Sequence, residues 1–165
     1  MFELGTRVAM VDDLVLAERF YADLLGREIF GNGSVDTRYM LSTDELLESR
    51  RRTGSRERTD GQADFWVNRP PHSNVTVGEA KVSLYLADHH IQEPPPEQLR
   101  GAPRLALGAS AAQIARAIEV LIQHAIPFEG PVPHAEPCPT TASLYFKDPA
   151  GNFLELCCSR DEQLD

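Results

Sequence analysis

Leu144-Tyr-Phe-Lys-Asp-Pro-Ala-Gly-Asn-Phe-Leu-Glu-Leu156 reads as strand, tight turn, strand. Asp148-Pro149-Ala150-Gly151-Asn152 supplies the turn: Pro fixes φ, and Gly and Asn tolerate positive φ. Apolar runs flank the turn on both sides, as a hairpin requires. One carboxylate, Glu155, stands inside the otherwise apolar second strand. A buried carboxylate is costly unless it is paired or binds a metal. Glu155 is therefore a candidate functional residue.

Outward from this hairpin the chain repeats itself. Arg104-Leu-Ala-Leu-Gly108 mirrors Arg7-Val-Ala-Met-Val11, and each is followed by an amphipathic stretch. In the first, capped by Asp12 or Asp13, the stripe is Leu14, Ala17, Phe20, Tyr21, Leu24 and Leu25, with Gly26 placed to end the helix. In the second, capped by Ser110, it is Ile114, Ala117, Ile118, Leu121 and Ile122. Arg27–Phe30, Thr37–Leu41, Phe65–Val67 and Lys81–Ala87 read as strands of the first unit. Ile126–Gly130, which mirrors 28–31, Thr141–Lys147 and Phe153–Cys158 read as strands of the second. Asp44–Arg52 follows a capping-box pattern. The five arginines between Arg50 and Arg58 have no apolar period and read as an exposed loop. Pro70–Asn74, which contains His72, also reads as loop. Asp88–Pro103, with Pro94-Pro-Pro96, reads as a stiff linker.

A chain of 165 residues fits one compact domain, or two small modules sharing a core. Its net charge of −9 argues against a nucleic-acid or anionic-membrane partner. No apolar run reaches the roughly 20 residues of a membrane span, and no signal-peptide pattern is visible. Cys138, Cys157 and Cys158 form no spaced framework, which fits a reducing, cytoplasmic setting.

The hairpin resembles the closing segment of the vicinal oxygen chelate superfamily: the glyoxalase, bleomycin-resistance and extradiol-dioxygenase proteins. Their pattern F-x-D-P-x-G-N-x-x-E-L stands here as 146–156. A second match, V-x-D-L followed by F-Y-x-x-x-L-G, stands as 11–14 and 20–26. Residues 43–80 and 88–102 match nothing specific. The resemblance implies an α+β fold of two βαβββ modules whose curved sheets form a cup. The modules would be residues 1–87, with an insertion at about 43–80, and 103–158, joined by 88–102 and followed by a tail, 159–165.

Strand alternation then sorts the side chains. Leu154, Leu156, Val82, Leu84, Leu86, Leu105 and Leu107 fall on the helix side. Ser83, Tyr85, Arg104, Ala106, Gly108, Phe153, Glu155 and Cys157 fall on the cup side; alternation alone is ambiguous for the first strand, where the resemblance implies that Thr6, Val8 and Met10 face the cup. The candidate ligand-binding set is Thr6, Met10, Ser83, Tyr85, Arg104, Phe153, Glu155 and Cys157. Glu155 is the candidate general base or anchor, or the ion-pair partner of Arg104.

Metal-using relatives place a His near the start of each module's first strand. Thr6 and Arg104 occupy those positions here, and Glu155 alone matches a ligand. One carboxylate beside a cation is a poor divalent site. His89, His90 and His134 are outside candidates; His72 and His124 read as loop and helix-end residues. The resemblance therefore implies a bleomycin-resistance-like protein that binds a small organic molecule in the cup, as a homodimer and with no cofactor. The alternative is a metal-dependent lyase, isomerase or oxygenase holding Fe, Zn, Mn or Ni and acting on vicinal oxygens. A third possibility is a module that only associates with a partner protein.

Overall fold

The computed structural model describes residues 7–39, 71–86 and 104–159. The expected helix at 44–52, the strand at 65–67, the arginine-rich run and the linker 88–103 lie outside the described residues.

Two four-stranded mixed sheets repeat one topology. Strands β1 (Arg7–Val11), β2 (Gly33–Tyr39), β3 (His72–Val77) and β4 (Ala80–Leu86) run in the order β1-β4-β3-β2. Strands β5 (Arg104–Gly108), β6 (Phe128–Pro133), β7 (Thr140–Lys147) and β8 (Phe153–Ser159) run in the order β5-β8-β7-β6. In each sheet the first strand pairs parallel with the last, and the remaining pairs are antiparallel. A helix fills each crossover, giving βαβββ twice.

Helix α1 (Leu14–Glu18) starts where Asp13 Oδ1 accepts a hydrogen bond from the Leu16 N–H at 2.9 Å. It continues as a π-helical segment, Arg19–Ile29. Here the structure corrects the sequence reading. Gly26 does not end the helix, and Arg27–Ile29 is helical rather than strand. The Phe30 N–H donates to the Leu25 carbonyl at 3.0 Å, and Gly31, at φ +72°, then turns the chain. Gly26 serves packing instead. A Cβ on it would stand 2.5 Å from Gly33 Cα, so the missing side chain lets β2 lie against the helix. All six residues of the expected stripe are buried.

Helix α2 (Ala111–Gln123) carries a reciprocal capping box between Ser110 and Gln113. Ile114, Ala117 and Leu121 are buried as expected, and Ile118 packs against the core. Ile122 is 64% exposed, and Val120 takes the core position instead. Three strand starts differ clearly from expectation: β2 begins at Gly33 rather than Thr37, and the other two lie beside prolines. Pro70-Pro71 suggested a loop through Asn74, yet β3 begins at His72, with the Pro71 carbonyl accepting from the Leu86 N–H at 2.9 Å. A proline just before a strand costs no ladder hydrogen bond. Pro127 likewise precedes β6, which starts two residues later than expected.

Both sheets and both helices share one apolar core. Val82, Leu84, Leu107, Leu154 and Leu156 face it, as strand alternation predicted, and Val11 of β1 joins them. No helix among the described residues is long and apolar enough to cross a membrane.

Candidate functional site: the open faces of the two sheets

The core occupies the helix side of each sheet, so the opposite faces define the cup. On β1 that face presents Val8 and Met10, 58% and 46% exposed. On β4 it presents Ser83 and Tyr85, in register with Val8 and Met10. Next come Asn74 and His72 on β3, then Thr37 and Tyr39 on β2. Ser83 is buried and donates to Asn74 Oδ1 at 2.6 Å, while Asn74 Nδ2 donates to Thr37 Oγ1 at 2.8 Å.

His72 corrects the sequence reading. It is no loop residue but stands 92% covered in β3, its ring stacked between Tyr39 and Tyr85. The signal was available in the alternation of 72–77, with Val75 and Val77 on the other face. The preceding prolines hid it.

On the second sheet the open face carries Ala106 and Gly108 of β5, then Phe153, Glu155 and Cys157 of β8. Beyond them lie Ser143 and Tyr145 of β7, both buried, which sequence reasoning passed over. Ser143 Oγ lies 2.9 Å from His134 Nε2, so this histidine is half-buried against the sheet rather than out in solvent. Lys147 Nζ sits 4.8 Å above the Phe153 ring. Burial pushes the Cys157 thiol up, the Glu155 charge adds to this, and Arg7 opposes it. A raised thiol is a neutral packing group rather than a nucleophile.

Glu155 is half-buried, with Ala106 opposite on one side and Tyr145 on the other. Arg104 stands opposite Phe153, one pleat repeat further along the same face. Its side chain, Thr6, His89 and His90 lie outside the described residues. His124 caps the end of α2, its Nε2 3.3 Å from Glu28 Oε2.

Two ties join the sheets near this face. Arg7 Nε donates to the Ala106 carbonyl at 2.8 Å. Asn152 Nδ2 donates to the Met10 carbonyl, also at 2.8 Å. Asn152 is held in turn by Asp148, whose other oxygen interactions include the buried Tyr21 hydroxyl at 2.7 Å. Two concavities are present, the second of them reaching Arg7 and Gly108. One, of about 510 Å³, is bounded by Phe20, Ile126, Pro127 and Lys147. The other, of about 680 Å³, lies between Phe30, Gly78 and the start of α2. Neither includes Glu155, Tyr85 or Met10.

The donors on this face bear on the divalent metal that the resemblance leaves as an alternative. The described open-face positions of β1 and β5 hold Val8, Met10, Ala106 and Gly108. None is an imidazole or carboxylate, and a thioether suits soft ions. Among the described residues, no group of three or more His, Cys, Asp or Glu side chains is placed to hold a metal ion. This donor set does not fit a Zn, Fe or Mn centre.

Duplicated βαβββ units with their open faces outward from a shared core define the glyoxalase/bleomycin-resistance/dioxygenase fold, the fold of the vicinal oxygen chelate superfamily. Solved structures agree. The fosfomycin resistance protein FosX from Listeria monocytogenes superposes with a TM-score of 0.59 at 14% identity, over 100% of this chain and 98% of that one. FosX from Mesorhizobium loti gives 0.55 at 15%, over 99% and 98%. A glyoxalase/bleomycin resistance protein/dioxygenase from Alicyclobacillus acidocaldarius gives 0.58 at 15%, over 98% and 95%. A mutant of the Listeria FosX was solved with Mn(II) and 1S,2S-dihydroxypropylphosphonic acid. No protein-family model matches the chain, and no curated protein matches it in sequence. At these identities the likeness establishes the fold.

Proposed function

We propose that this protein binds a small organic molecule on the open face of its sheets, without a tightly held divalent metal, in the manner of bleomycin-resistance-like proteins. One observation carries the reading. The centre of the face is floored by Val8, Met10, Ala106 and Gly108, which are apolar or small and offer no hard donor. A ligand there is held by shape and apolar contact, with Glu155 as the polar anchor beside it. A homodimer, with modules bounded by residues 88–102, is part of this reading.

The rival is a metal-dependent enzyme acting on vicinal oxygens. Glu155 at the family's carboxylate position favours it, as does the Mn(II) bound by the structurally similar FosX. Metal analysis of untagged protein, followed by calorimetric titration with Mn(II), separates the two. The proposal expects far less than one metal per chain and no saturable heat. One Mn, Fe, Zn or Ni per chain, lost on Glu155→Gln, would establish the rival.

A further inference from the structure

The open face of the first sheet is organised in cross-strand rows. Two of them are polar and spent on themselves. Asp36 collects Ser34, Thr76 and Lys81. Asn74 has its carbonyl engaged by Ser83 and its amide by Thr37. The remaining row runs Tyr39, His72, Tyr85, Met10, each in register with the next across β2, β3, β4 and β1.

In that row the rings are stacked. Tyr39 and His72 have centroids 5.4 Å apart at 30°, and His72 and Tyr85 are 4.9 Å apart at 20°. These spacings approach the roughly 4.8 Å between neighbouring strands. The sheet thus repeats one aromatic ring per strand, and the stack stops where β1 supplies Met10 in place of a fourth ring. With His72 on one face of Tyr85, the other face is turned toward β1. Met10 there is half-exposed, and a thioether makes favourable contacts with ring edges.

We infer that the ligand, on the small-molecule reading above, is a planar aromatic compound that takes the fourth place in this stack, against Tyr85 and over Met10. The three stacked rings form a stiff backing, so a flat ring docks without reordering the wall. Because the neighbouring polar rows are internally satisfied, stacking rather than hydrogen bonding selects the ligand on this side.

The test uses the full chain, with 2-naphthol and its saturated analogue 2-decalol as probes. Methyl NMR on the wild type reads the Met10 methyl. 2-Naphthol should move it upfield by ring current and bind about three- to tenfold more tightly than 2-decalol. Tyr85→Leu should weaken 2-naphthol by about the same factor, and Tyr85→Phe should keep the affinity within about twofold. Equal binding of both probes at Met10 would overturn the aromatic class while leaving a small-molecule site in place. No movement of the Met10 methyl with either probe would overturn the stacking position itself. The metal-free reading is judged separately, by the metal titration.

Discussion

Asp148 illustrates what a single residue contributes. Its carboxylate accepts from the Asn152 N–H and Asn152 Nδ2, both at 2.8 Å, which closes the turn. It also accepts from Tyr21 Oη at 2.7 Å, reaching the helix of the other unit. Burial, reinforced by the Asp148 charge, pushes the Tyr21 phenol far above its usual range, so it remains a neutral donor through the working pH range. Tyr21→Phe removes that donor from a buried acceptor and should cost about 1–3 kcal/mol. Urea unfolding measures this; an unchanged midpoint would mean the tie contributes nothing. The sequence showed Asp148–Asn152 as a turn because Pro, Gly and Asn have local conformational preferences. It did not show Tyr21 as the partner. Nothing local encodes a contact across 127 positions, and Tyr21 already fitted the apolar stripe of its helix. His72 was hidden differently: its strand alternation was legible, but two prolines outweighed it.

At the scale of elements, Glu18 fixes how the first helix lies on its sheet. It is buried, accepts a bidentate pair of hydrogen bonds from Arg38 of β2, and is contacted by the Ser73 hydroxyl of β3. The Arg38 guanidinium, helped by Ser73, holds the Glu18 carboxyl below its usual range against the opposing effect of burial. On β2, the Ser34 hydroxyl, with Lys81 and Thr76, holds Asp36 at about 2. Both groups are more acidic folded than unfolded, so the unfolded chain takes up protons first as pH falls. Their stabilisation is present above about pH 4–4.5 and is lost on acidification, that of Asp36 progressively down to about pH 2. The stability gap between wild type and Glu18→Gln should therefore narrow as pH drops from 5 to 3 in denaturant titrations. A gap that stays constant or widens would contradict the assignment. Strands and helices were largely legible, because burial on one face leaves a period of two or 3.6 in the sequence. Besides the strand starts, one exception was the end of the first helix. Gly26 reads as a terminator, whereas the fold uses it for the close approach of Gly33, and only the tertiary contact distinguishes these roles.

Across the whole molecule, the repeat was the most legible feature. Two sheets of identical strand order around one core are what two copies of strand, amphipathic helix and three strands would build. The cup sides of β4, β5 and β8 were legible for the same reason, since alternation assigns faces without knowing the fold; for β1 alternation alone left the face ambiguous. The aromatic row was not, because it is a property of register: Tyr39, His72, Tyr85 and Met10 come from four strands and align only after pairing. The central claim is that this face holds a small organic molecule and no stoichiometric metal. Native mass spectrometry of the untagged protein, purified gently from cells, tests it most directly. The account predicts a population heavier than the bare chain by the mass of an organic compound, released intact on unfolding and unaffected by chelators. A bound mass equal to one divalent metal per chain, stripped by a chelator and abolished by Glu155→Gln, would contradict it.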